Sequence, residues 1–159
     1  MPAGRRSATG STVIAVDTNI LVYAHRTDPP FHERARLTLE SLAMGARAWA
    51  IPWPCAHQFF ALVTHPRIYK TPTPANTAFA QLRALQTVAN LVLISEADDY
   101  LQQLEPLALA AKARGGAIHD ARIAAICLLH GVVELWSADH DFSRFPALAV
   151  LSAHLYDLS

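Results

Sequence analysis

The chain has no surplus of charge: 13 Lys and Arg balance 13 Asp and Glu over 159 residues. A general electrostatic pull on nucleic acid is therefore missing, and any such contact has to come from a local patch. Only two cysteines occur, Cys55 and Cys127, far apart and without a CxxC companion. That argues against a disulfide-stapled secreted scaffold or a cysteine zinc site, and makes a reducing cytoplasm the expected compartment. The eight histidines form no HxH or HExxH pattern, so they give no sign of zinc. No apolar run approaches the roughly 18 residues of a membrane span. No G-x-G-x-x-G follows the first apolar run, which argues against a dinucleotide enzyme. Residues 1–12, MPAGRRSATGST, lack the apolar stretch of a secretory signal. They read as a disordered N-terminal extension or an expression-vector remnant that carries Arg5 and Arg6.

What is present is apolar: 52% of the residues are hydrophobic, enough for one domain with a core of its own, taken as 13–159. Short apolar runs at 13–16, 48–51, 91–94, 132–136 and 149–151 read as strands. Between them, helices are expected at 31–44, 53–65, 75–88 and 120–130. Pro66 ends the second of these, because the residue before proline avoids the α region. Ser95, Glu96, Ala97 and Asp98 have the form of a capping box opening a helix through 104. Pro106 is expected to kink or restart that helix, which runs on to 114 before Gly115 and Gly116 break it. Strands alternating with helices, and apolar on both faces, predict an α/β fold: a parallel sheet covered by helices on both sides.

In such sheets ligands bind beyond the carboxyl ends of the strands, where the strand order reverses. Asp17 interrupts the apolar run "VIAVDTNILVYAH" at the end of the first strand. Asp139 and Asp141, in "LWSADHDF", follow the strand at 132–136, and Asp120 opens a helix after the glycine break. Each has an ordinary explanation: Asp120 as a helix cap or first-turn acid, Asp139 and Asp141 as turn residues. Gathered at one rim, however, three acids repel one another unless a cation neutralises them. Hard carboxylate oxygens select Mg2+ or Mn2+ over zinc.

"VDTNILVYAH", "GAIHDARIAA" and "LWSADHDFSRFP" resemble the three acidic motifs of PIN-domain ribonucleases. Their order and spacing are most similar to the VapC-type toxins of bacterial toxin–antitoxin pairs. The segment "IPWPCAHQFFALVTHPRIY" resembles the second motif region of a VapC subgroup. The resemblance implies a PIN-like three-layer α/β/α sandwich with a parallel, roughly five-stranded sheet. It also implies metal-dependent endonucleolytic cleavage of structured RNA such as tRNA or rRNA. The partners it implies are a small VapB-like antitoxin and a second copy of the chain. Carried over by position, Asp17, Asp120 and Asp139 are the metal-binding acids and Asp141 an additional acid of the last motif. Ser137 stands where a hydroxyl can hold a carboxylate or metal-bound water, and Asn19 is the polar neighbour of the first acid.

One position departs. The family's glutamate in the helix after the second strand corresponds to Gln58, and no acid lies between Glu40 and Glu96 to replace it. An amide oxygen is a poorer ligand for a hard cation and cannot act as a base. An inactivating change, a weakened nuclease and a site that works with fewer acids all remain open, as does Gln58 being an outer-face residue one turn out of register. RNA contacts are expected from His119, His140 and Arg122 beside the acids, and from Arg67 and Lys70 with Tyr69. Trp49, Trp53 and Trp136 are expected as core or dimer contacts. A rival reading is a catalytically degenerate PIN-like module that binds RNA or antitoxin. A signalling receiver domain fits less well, since the last lysine, Lys112, precedes the third motif.

Overall fold

A computed structural model describes residues 13–138 and 149–150. Its strands are β1 (Val13–Val16), β2 (Trp49–Pro52), β3 (Leu91–Ile94), β4 (Val132–Trp136) and β5 (Ala149–Val150). They form one parallel sheet in the order β3-β2-β1-β4-β5. The helices are α1 (Thr18–His25), α2 (His32–Met44), α3 (Trp53–Val63), α4 (Ala75–Gln86), α5 (Tyr100–Ala110) and α6 (Ile118–Leu129), with a 3-10 turn at Gly115–Ala117 before α6. The expected α/β class with a parallel sheet is what the chain adopts.

The order makes β1 the central strand and places the reversal between β1 and β4. From β1 the chain steps outward through β2 to β3, then returns across β1 to β4. Chain reversals of this kind leave a crevice at the carboxyl ends of the two strands. Backbone pairing aligns Ala15 with Leu135 and Val16 with Trp136, and Asp17 N–H donates to Trp136 O at 3.0 Å. The residues that follow both strands are thereby brought side by side.

The core forms where strand side chains meet helix faces. Ala15, Val16, Ala50, Ile51 and Leu135 of the sheet pack with Ile20, Phe59, Ile123 and Ile126 of the helices. Trp49 is a core residue, 1% exposed, while Trp53 and Trp136 pack partly buried against that core. The strands are not uniformly apolar-buried: Val92 on edge strand β3 and Val133 on β4 are about half exposed. Among the described residues, no helix is long and apolar enough to cross a membrane.

Local chemistry sets several boundaries. Gly131 adopts φ 75° directly after the α6 cap, a left-handed turn that a glycine makes without Cβ strain. The expected capping box does not form: Ser95 Oγ donates to Glu96 O, and α5 starts only at Tyr100, after Asp99 at φ 68°. Pro106 neither kinks α5 into two elements nor restarts it. It sits inside one helix, where the missing N–H costs one intrahelical bond. That helix stops at Ala110, earlier than the alanine-rich sequence suggests, and Lys112 turns at φ 55°.

Candidate active site

Asp17 is 5% exposed, and its carboxylate is held from several sides. Its Oδ1 accepts from the Thr18 backbone N–H at 2.8 Å, which makes it the N-cap of α1. The Cys55 thiol donates to the same oxygen at 3.5 Å. Oδ2 accepts from Ser137 Oγ–H at 2.7 Å, across the reversal from the end of β4. A buried carboxylate is tolerable when such donors replace lost water. Burial first, and then the Asp17 charge, push the Cys55 thiol well above its ordinary range, so it stays protonated and able to donate.

Asn19 completes this frame. Its Nδ2 donates to Ser137 Oγ at 3.3 Å, and its Oδ1 accepts from Ala138 N–H at 3.1 Å. Asn19 and Ser137 therefore tie the start of α1 to the segment leaving β4. Ser137, placed where a hydroxyl can hold a carboxylate, is fully buried and donates to Asp17. Asn19 keeps an edge on the cleft.

Asp17, Thr18, Asn19, Gln58, Leu62, Asp120 and Ile123 line one cleft of about 200 Å³. Asp120 lies in the first turn of α6, where the helix dipole favours an acid, and it is half-buried. Gln58 comes from the second turn of α3, and its Oε1 accepts from Thr18 Oγ1–H at 3.2 Å. It is thus at the cleft and not on an outer face away from it. A second hollow of about 420 Å³ opens beside the first and shares Gln58, Asp120 and Ile123 with it. His119 and Arg122 line this second hollow. Arg122 Nε donates to Glu96 Oε2 at 2.5 Å, and that guanidinium holds the Glu96 carboxyl below its ordinary range.

Arg67 is not brought to either space. It lies past the C-terminal end of α3 and lines neither of them. Tyr69 is occupied beneath the Arg26 guanidinium, 4.0 Å from its ring centroid. Asp139, His140 and Asp141 lie outside the described residues. Among the described residues, no group of three or more His, Cys, Asp or Glu side chains gathers to hold a metal. Two acids, Asp17 and Asp120, share the cleft with an amide oxygen. Such all-oxygen donors suit a hard cation that keeps several waters, as Mg2+ does.

Some of this frame carries no motif. Cys55 reads as a core cysteine, and only its i−3 spacing from Gln58 hints that both lie on the side of α3 toward Asp17 and Thr18. Thr18 and His57 sit beside residues singled out by their chemistry, but nothing in their own types points to the site. Glu96 lies too far along the chain for its pairing with Arg122 to be anticipated.

The PIN domain family pattern matches residues 14–148. The chain belongs to the PIN domain family. Ribonuclease VapC25 of Mycobacterium tuberculosis is 32% identical over 133 residues, 84% of this chain and 93% of the relative. Ribonuclease VapC48 of the same organism is 27% identical over 134 residues, again 84% of this chain, and 92% of the relative. Among solved structures, VapBC2 from Rickettsia felis bound to a promoter DNA fragment superposes with TM-score 0.65 at 19% identity, covering 88% of this chain and 98% of that one. Mycobacterium tuberculosis VapC20, described as a Sarcin-Ricin loop cleaving toxin, superposes with TM-score 0.59 at 20% identity, covering 82% and 92%. Within this PIN domain, the β1–β4 reversal is where Asp17 stands.

Proposed function

We propose that this PIN domain is the toxin of a toxin–antitoxin pair, an endoribonuclease that hydrolyses phosphodiester bonds in structured RNA such as tRNA or rRNA. Its metal would be Mg2+ or Mn2+, held by Asp17 and Asp120 together with Asp139. The observation that carries the reading is that Asp17 and Asp120, some hundred residues apart, line one cleft at the strand reversal. The ribonuclease names of the relatives and the VapBC assemblies among the structural neighbours support it. A VapB-like antitoxin and a second copy of the chain are the proposed protein partners.

A bound divalent ion supplies a water of lowered pKa and clamps phosphate oxygens. The chain's own part is to keep the acids in place. Ser137, Cys55 and the Thr18 N–H fix the Asp17 carboxylate, and the first turn of α6 fixes Asp120. Asp141 is an additional acid for orienting water, and no side chain need form a covalent bond with the RNA.

A second reading, a binding module without catalysis, draws on Gln58, whose amide oxygen is already engaged by Thr18. Calorimetric titration of Mn2+, paired with cleavage of a bulk tRNA fraction, separates the two. The nuclease reading expects Mn2+-dependent cleavage by the wild type, none by Asp17→Asn, and tighter Mn2+ binding with faster cleavage for Gln58→Glu. Full-rate cleavage by Asp17→Asn would refute the site.

A further inference from the structure

The second hollow has a composition that the metal cleft does not explain. Its wall carries His57, Gln58, His119 and Arg122, which are all hydrogen-bond donors, alongside apolar Pro54 and Ile123. Among the described residues these donors keep unused N–H groups. Among the described residues Gln58 uses only its Oε1, toward Thr18, so its amide N–H groups stay available to a ligand. Arg122 uses Nε toward Glu96 and keeps its terminal N–H groups. His119 is exposed on α6, and His57 is exposed on α3, with its ring 6.0 Å from that of Trp53. Among the described residues of this wall, Asp120 is the one acid.

We infer that this hollow is a subsite for one unpaired nucleotide of the RNA, next to the bond being cut, held through the nucleotide's acceptor atoms. The inference rests on the nuclease reading for its placement, but its chemistry is separate. The space of about 420 Å³ is in the range of small-ligand sites and larger than an isolated phosphate needs. RNA-binding sites commonly splay single bases out, stack them on imidazole or guanidinium planes and hydrogen-bond their edges. Bases and phosphates are rich in acceptors, matching a wall rich in donors. The residue at position 58 is then more than a lost acid. With its oxygen tied to Thr18, Gln58 at the border of the two spaces keeps N–H donors where a glutamate would offer only acceptors. Gln58→Glu should therefore strengthen metal binding and weaken nucleotide binding at once.

The test is fluorescence anisotropy of labelled pentanucleotides of adenosine, cytidine, guanosine and uridine, with the full chain in EDTA. Wild type is expected to bind at least one of them with a dissociation constant at or below roughly 0.1 mM, the weak end of nonspecific nucleic-acid binding. His57→Ala combined with His119→Ala should weaken that binding about tenfold, and Gln58→Glu about fivefold, the latter the loss of one ordinary hydrogen bond. All three positions are exposed, and circular dichroism checks that each variant is folded. Unchanged affinity in the double variant, or no wild-type binding to any of the four, overturns the subsite. Because EDTA removes the metal, the two readings fail separately. Cleavage that needs Asp17 but ignores His57 and His119 leaves the nuclease and removes the subsite. Cleavage indifferent to Asp17, with binding still lost in the double variant, does the reverse.

Discussion

At the scale of single residues, the cleft depends on side chains buried behind it. Ser137 is fully buried, and its hydroxyl is the donor that crosses from β4 to Asp17 Oδ2 at 2.7 Å. Removing it strips a buried carboxylate of a charge-assisted bond, which costs more than an exposed bond of the same length. Ser137→Ala is expected to lower stability by about 1–3 kcal/mol, read from urea unfolding. Mn2+-dependent cleavage should fall by about 10–100-fold, the usual penalty for losing a group that orients a metal ligand. Ser137→Thr, which keeps the hydroxyl, should recover part of the activity. Equal losses for the two substitutions would show a packing role only. Asp17 was legible as a site residue because an acid set into an apolar run stands out, even though it also caps α1. Cys55 was not, since a buried cysteine looks the same whether it fills space or donates to Asp17.

At the scale of elements, burial overrides local preference more than once. His25 ends α1, where the helix dipole would favour an imidazolium. Its ring is instead packed edge-on against Phe59 at 5.4 Å and bonded to Thr73 Oγ1 at 3.1 Å. Desolvation, followed by the charges of Arg26 and His32, lowers its pKa from the ordinary 6.5. As pH falls through 6.5, the unfolded chain takes up the proton before the folded one does. His25 therefore contributes fully to stability above that value and loses the contribution as pH drops toward its depressed pKa. The unfolding temperature should fall between about pH 7 and about pH 5, and His25→Gln should flatten that slope. An identical slope in the variant would assign the pH dependence elsewhere. The strands and most helices were readable from runs and periodicity. The start of α5 was not, because Ser95 bonds to Glu96 O and forms no cap. An equally good sequence signal was outcompeted by a neighbouring carbonyl.

At the scale of the whole molecule, stability and chemistry sit at opposite ends of the sheet. The strand order placed Asp17 and Ser137 at the carboxyl ends of β1 and β4, and that much follows from alternating strands and helices. The pairing of specific strands does not, since short apolar runs carry no register of their own. At the other end, Asn90 joins three segments. Its two Nδ2 N–H groups are shared among Leu42 O, Gly45 O and Arg47 O at 2.8, 3.1 and 2.9 Å, and its Oδ1 accepts from Trp49 Nε1 at 3.1 Å. The end of α2, the start of β2 and the start of β3 are thereby held in one place. None of these partners is close in sequence, so the role of Asn90 was invisible beforehand. Asn90→Ala removes all of these bonds and leaves the indole N–H of a buried tryptophan without its partner. A loss of about 2–4 kcal/mol is expected from urea unfolding, with the Mn2+ affinity of the folded fraction unchanged. A fall in metal affinity at temperatures where the variant is fully folded would mean that the two ends are coupled through the sheet. Independence is the expected result: the Asp17 frame runs through Thr18, Cys55 and Ser137, and none of these residues bonds to Asn90.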